Sequence, residues 1–315
     1  MRLLNVNGKL SMPVPGARLR LAGLSFAPAD RSGVNVCPKS TPGCRAACVL
    51  WFGGRTVMQA TRDAAVRRTL AFLQDRQAFL RDLRADLRAL ARAARKRRAV
   101  PVVRLNVASD IDWARVAPDV FRDAAALGIK VYDYSKDAAR VLRELARRDA
   151  GRRSRLCRAA VPACNPDSVV WARGPLAPWN LTLSVSEVTT FQEAKAVHDA
   201  GGNLATVFAV RYYSAGGRGR FGEVPATVVY RDAVTGEEFR TRTVDGDKHD
   251  ARLPRFDGRG VTVALRNKGT LAAKAAAVES GFAKAGAPGW RDRPAKRRRG
   301  TAVVVLAHGA AGGAR

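Results

Sequence analysis

The chain has 315 residues, enough for one large α/β domain or two modest ones, and 47% of it is hydrophobic, which excludes disorder throughout. It carries 56 Lys and Arg against 27 Asp and Glu, a formal net charge of +29. No run approaches the ~18 apolar residues of a membrane-spanning helix, and residues 1–15 lack the apolar block of a secretory leader.

The basic residues divide into 11 Lys and 45 Arg. Such a balance suits a nucleic-acid partner, but a GC-rich genome produces the same Arg- and Ala-heavy chain, so charge alone selects no partner. The cysteines are Cys37, Cys44, Cys48, Cys157 and Cys164. An odd number without a leader argues against a disulfide framework and for a reducing cytoplasm.

In chain order, residues 18–26 alternate as a strand, and residues 27–52 read as a Pro/Gly loop that holds three of the cysteines. Residues 56–98 are helical in pattern. Phe79, Leu83, Leu87, Leu90 and Ala94 fall on one face, and the length predicts two helices that divide near Gln74 and Asp75. Strands are then expected at 100–107, 128–134, 179–185 and 203–210, with helices at 118–127, 138–148 and 191–199 between them. This β-α-β rhythm predicts parallel strands joined by right-handed crossovers. Residues 149–175 interrupt it and read as an insertion. Residues 224–230 and 237–244 form a hairpin around Thr235-Gly236, and 260–265 is a further strand. The expected fold is therefore α/β, a partial or complete β/α barrel with a β-rich C-terminal part. Residues 1–285 make one domain, and 286–315 form a basic, flexible tail in which 301–308 could be an edge strand.

Three features suggest chemistry. Cys37, Cys44 and Cys48 place soft thiolates on one flexible loop after a strand, where they suit an iron–sulfur cluster or zinc; idle loop thiols are the alternative. Parallel α/β folds bind ligands at the C-terminal ends of their strands. The expected strand ends carry Asn106, Ser109 and Asp110, then Lys136, then Ser184 and Glu187. We read Asp110, Lys136 and Glu187 as catalytic candidates, and Asn106, Ser109 and Ser184 as binding residues for a small anionic ligand or nucleotide. The segment 245–250 packs three Asp and His249 into six residues, which suits acid–base work, a hard cation or a plain turn. Lys268 nearby would offer a cation to an anionic ligand. Arg/Lys clusters at 95–98, 152–155 and 296–299 are candidates for phosphate contacts. The literal G-x-G-x-x-G at 217–222 is followed by a β-rich run rather than a helix, so it does not read as a dinucleotide site.

The motifs at 25–29, 32–38 and 42–48, with Arg104-Leu105-Asn106, Ser109-Asp110-Ile111, Tyr132 to Lys136, Ser184 to Glu187 and Lys268-Gly269, resemble phage and plasmid proteins of the gene product 88 type. The likeness covers about residues 20–270 apart from the 149–175 insertion. More distantly, three cysteines after the first strand are similar to radical S-adenosylmethionine enzymes, although the spacing differs. That similarity implies a partial barrel, a [4Fe–4S] cluster on Cys37, Cys44 and Cys48, and S-adenosylmethionine at its open iron. The chain is thus expected to be a phage- or mobile-element-associated iron–sulfur enzyme. The alternative is a zinc-stabilised nucleic-acid-binding accessory protein, and neither reading involves a membrane.

Overall fold

The computed structural model describes residues 1–6, 9–48, 51, 58–160, 177–210, 212–215, 218–284 and 300–309, and the backbone alone of 151–160, 212–215 and 218–221. The chain opens with β1 (Leu4–Asn5), antiparallel to β2 (Leu19–Leu24). The cysteine loop follows and contains the short helix α1 (Pro42–Ala46). Helices α2 (Gln59–Gln74) and α3 (Arg76–Lys96) come next. They break at Asp75, where the expected division lies. Asp75 leaves helical geometry and its Oδ1 accepts from Ala78 N at 2.9 Å, so it ends one helix and caps the next.

Three β-α steps and a closing strand then build the sheet. They are β3 (Val100–Arg104), the helical turn α4 (Trp113–Val116), α5 (Pro118–Ala126), β4 (Lys130–Ser135), α6 (Ala138–Ala160), β5 (Trp179–Ser184), α7 (Phe191–Asp199) and β6 (Asn203–Phe208). Helix α7 starts with a reciprocal capping box between Thr190 and Glu193, and the chain leaves it through Gly201 at φ 70°. A small hairpin, β7 (Tyr212–Ala215) with β8 (Arg218–Phe221), stands apart as its own sheet. No helix follows the glycine motif at 217–222. The expected second hairpin is β9 (Thr227–Asp232) with β10 (Glu238–Asp245). The chain continues through α8 (Pro254–Asp257), β11 (Thr262–Arg266), α9 (Leu271–Glu279) and β12 (Thr301–Leu306).

All ten main strands form one sheet in the order β1-β2-β3-β4-β5-β6-β11-β10-β9-β12. From β2 to β10 every neighbouring pair is parallel, and β2 to β6 lie side by side in chain order. The complete-barrel expectation is corrected: β1 and β12 end the sheet and do not pair with one another among the described residues. One face packs on the helices. Phe79, Leu83 and Leu87 of α3 meet Ala22, Leu24, Val103 and Leu105 there, and Phe26, Phe72, Phe79 and Trp113 cluster with ring centroids 5.3–6.2 Å apart. On the other face Leu21, Val102 and Tyr132 are covered by loop residues Leu10, Val14, Ala251 and Leu253.

Two boundaries differ from expectation. Helix α6 runs to Ala160, because Arg- and Ala-rich residues continue its pattern with no breaker but Gly151. The proposed insertion 149–175 therefore begins within a helix, and 161–176 lies outside the described residues. The edge strand expected at 301–308 is β12 (Thr301–Leu306), which pairs in parallel along β9 and buries every second residue, so this part of 286–315 is not a flexible tail. Residues 285–299 and 310–315 lie outside the described residues. No described helix is long and apolar enough to cross a membrane.

Candidate functional site

The parallel order brings the C-terminal ends of β2 to β6 to one edge, where the cysteine loop also begins. After β3, Asn106 is 2% exposed and organises its own turn. Its Oδ1 accepts from Ser109 Oγ at 2.8 Å, Trp113 Nε1 at 3.0 Å and Ile111 N at 3.2 Å. Asn106 and Ser109 are therefore committed to shaping the loop. Asp110 braces two elements: Arg140 Nη1 donates to Oδ1 at 2.6 Å and Lys136 N to Oδ2 at 3.0 Å. Ser184 stands at the end of β5 in register with Ala205, and the next hydroxyl, Ser186 Oγ, bonds Thr189 Oγ1 at 3.2 Å.

Lys136 leaves β4 toward the cysteine loop. Burial opposes its charge, but Cys44, hydrogen-bonded to the ammonium, and Asp110 with Cys37 in charge range hold its pKa above the ordinary value. Its ammonium also lies 5.9 Å from the Phe282 ring centroid. Burial pushes the Cys37 thiol up, opposed by a hydrogen bond from Ala29 N at 3.3 Å and by Lys136.

Glu187, leaving β5, reaches the same loop. Its Oε1 accepts from Gly43 N at 3.0 Å, and its Oε2 is buried without a partner among the described residues. Gly43 is needed there, since a Cβ would come 2.6 Å from Glu187 Oε1 and 2.7 Å from Ser280 Cβ. The cysteine helix α1 thus sits between Glu187 and the turn after α9. Lys284 pairs alongside the end of β6, donating its N to Val207 O at 2.8 Å. Burial lowers its pKa, and the neighbouring Glu187 opposes that.

The donor types at this edge suit a thiolate-bound centre, and so does their place after the first parallel strand. Their convergence does not. Cys37 and Cys44 share the field of Lys136, yet no group of three His, Cys, Asp or Glu among the described residues is gathered to hold a metal ion. Cys48 does not complete a ligand set with the other two as folded, so no cluster or zinc geometry follows from this arrangement. Cys157 lies on α6, where only backbone is described, and Cys164 lies outside the described residues.

The Asp245–Asp250 segment lies at the ends of β10 and β11, and its carboxylates are committed to cations. Arg266 forks onto Asp245 at 2.7 and 3.0 Å, and Lys268 Nζ reaches Asp247 at 2.6 Å. Asp250, 1% exposed, accepts from Arg104 Nη1 at 3.1 Å and Tyr132 Oη at 2.8 Å, with Lys9 3.5 Å away. Burial opposes the Asp250 charge, but Arg104 and Lys9 outweigh it and hold the carboxyl below its usual range. His249 Nδ1 lies 2.8 Å from Arg252 Nη2; burial, then Arg252, press its pKa down to about 4. Lys268 and His249 are therefore engaged in an ionic cluster at the C-terminal ends of β10 and β11, on the same sheet edge as the ends of β2 to β6.

The Arg95–Arg98 cluster precedes β3, at the opposite edge from the cysteine loop. Arg152–Arg155 lie on α6 with backbone alone described, and Lys296–Arg299 lie outside the described residues. Sequence reasoning missed Gly43, Arg140 and Lys284. Gly43 has a local signal, being wedged between Pro42 and Cys44. Arg140 and Lys284 have none, because their partners are distant in sequence.

A run of parallel strands in chain order, with thiol, ammonium and carboxylate groups at one edge, defines a mixed α/β protein with a mostly parallel sheet. The chain belongs to the Gene product 88 family, whose profile matches residues 3–286. That span runs from β1 past Lys284 and stops before β12. No curated protein and no solved structure matches the chain.

Proposed function

We propose that the edge formed by the C-terminal ends of β2 to β6 is the active centre of a phage- or mobile-element-associated enzyme acting on a small anionic substrate. In this reading Cys37, Cys44 and Cys48 carry an iron–sulfur cofactor. The observation that carries it is the contact between Lys136 and Cys44, with Cys37 and Asp110 in charge range of the same ammonium. A buried ammonium beside two cysteine sulfurs offers the positive charge that complements an anionic, thiolate-bound centre. The parallel order of β2 to β6 supports the partial-barrel form of this reading. A bound [4Fe–4S] cluster with three protein ligands would leave one iron open for S-adenosylmethionine.

The chain's own groups have separate tasks. Glu187 seats the cysteine helix through Gly43 N, Lys136 supplies positive charge to thiolates or to an anionic substrate, and Asp110 ties Lys136 to Arg140. Closing three ligands requires the segment after α1 to bring Cys48 to the other two. Anaerobic purification with iron, sulfide and zinc analysis tests the proposal on wild type and Cys48→Ala. Stoichiometric iron and sulfide in wild type, lost in the variant, supports it. A colourless protein without iron after reconstitution rejects it, and zinc in place of iron favours the accessory-protein reading.

A further inference from the structure

We propose that the outer face of α3 is a docking surface for the phosphate backbone of duplex DNA. Helix α3 buries Phe79, Leu83, Leu87 and Leu90, which leaves Arg81, Arg88, Arg92 and Arg95 exposed. These four are spaced by two turns, one turn and one turn, so they share a stripe roughly 21 Å long at 1.5 Å per residue. Arg97 and Arg98, both exposed, extend it beyond the helix end. None of the six makes an ion pair with a described residue. The helix's own carboxylates are engaged elsewhere: Asp82 holds the N-terminal ammonium at 2.6 Å, and Asp86 accepts from Leu3 N and Leu4 N at 2.7 and 2.8 Å. The stripe is therefore a row of cations without counter-charges, complementary to a polyanion.

The composition of the stripe selects the polyanion. Guanidinium groups fork onto phosphate oxygens. No large hydrophobic residue of α3 is exposed, so the face lacks the apolar anchors that an interfacial membrane helix needs. It also lacks aromatic side chains on which single-stranded bases would stack. A rigid, straight row of arginines fits a duplex, spanning about six steps of one strand at ~3.4 Å each. Arg98 adds a second sign. It occupies the left-handed region at φ 50°, just after the helix, where glycine is the favoured residue.

That conformation supplies a clean test, because Arg98→Gly removes charge and relieves strain together. The assay is fluorescence anisotropy of a labelled 24-base-pair duplex of mixed sequence against the full chain, from 50 to 200 mM salt. Six phosphate contacts predict a log–log slope near −5, a loss of about 10³-fold across that range. Arg88→Ala/Arg92→Ala/Arg98→Gly is expected to weaken binding and flatten the slope by about 3, with the unfolding midpoint not lowered. Arg98→Gly alone is expected to flatten it by about 1 without lowering the midpoint, which separates lost contact from lost fold. Equal affinity and slope for wild type and the triple variant overturns the proposal. So does tighter binding to a single strand of the same length, or binding to phosphatidylserine vesicles without binding to duplex. None of these outcomes depends on whether the cysteines hold a cluster.

Discussion

The buried pair of Arg104 and Asp250 makes the sharpest energetic prediction. Asp250 and Arg104 have side chains only 2% and 13% exposed, and they meet at 3.1 and 3.3 Å. Tyr132 Oη and Lys9 complete the shell of Asp250. Replacing Asp250 alone by Leu strands a buried guanidinium and a phenol, which costs about 3–5 kcal/mol. Arg104 keeps only Asp133, at 3.8 Å, as another carboxylate. Replacing both residues, as Arg104→Met/Asp250→Leu, removes the charges together and costs far less than the sum of the single changes. For a chain of this length, an unfolding entropy of ~2.1 cal/mol/K per residue makes 1 kcal/mol worth roughly 1.5 °C. The Asp250→Leu variant is thus expected to melt about 5–8 °C lower, with a coupling of at least ~2 kcal/mol in the double-mutant cycle. Thermal unfolding followed by circular dichroism measures all four proteins. Single variants within ~1.5 °C of wild type, or strictly additive effects, would show that the pair does not hold the loop at 245–250 to the sheet.

Three further outcomes are expected. Gly43→Ala drives a Cβ against Glu187 and Ser280, so it should cost about 1–3 kcal/mol and speed iodoacetamide labelling of Cys44, read by mass spectrometry; an unchanged labelling rate refutes the seating of α1. Burial lifts Asp133 to about 7 despite Arg104 and the donors Asn106 N, Trp179 Nε1 and Leu105 N, so the fold favours its protonated form. Stability from this group is full below about pH 4 and is lost as pH rises through 7; relative to Asp133→Asn, the wild-type melting temperature should fall from pH 5 to pH 8, and a constant difference counts against it. For His249 the sign reverses: with the folded value near 4, its contribution is full above about pH 6.5 and fades as pH falls through 4. Wild type should therefore lose ground to His249→Gln between pH 7 and pH 4.5, and parallel melting curves would contradict this.

Much of the fold is legible because it rests on local signals. The stripe from Phe79 to Ala94, the capping Asp75, the Thr190–Glu193 box and the hairpin at Thr235-Gly236 are each written within a few residues of where they act. The edge on which Lys136 and Glu187 meet the cysteine loop follows from strand order alone, once the strands are taken as parallel. What the sequence hides is commitment. Asn106, Asp110 and Lys268 look like free ligand groups until Trp113, Arg140 and Asp247 are seen to engage them. The pairing of Arg104 with Asp250 joins positions far apart in sequence, and no periodicity encodes such a contact. The end of α6 is hidden for the opposite reason, since Arg and Ala continue the helical pattern past the point where a connection was expected.

The parallel pairing of β12 with β9 also bears on synthesis. Strand β9 is made together with its hairpin partner β10, whereas β12 leaves the ribosome only after β11, α9 and the residues that follow them. During that interval the outer edge of β9, with Val228, Val229 and Tyr230 in sequence, has no strand to pair with. Such an edge is a template for association with other nascent chains. The growing polypeptide is therefore most exposed to misassembly just before β12 emerges, and a ribosome pausing there would lengthen the exposure.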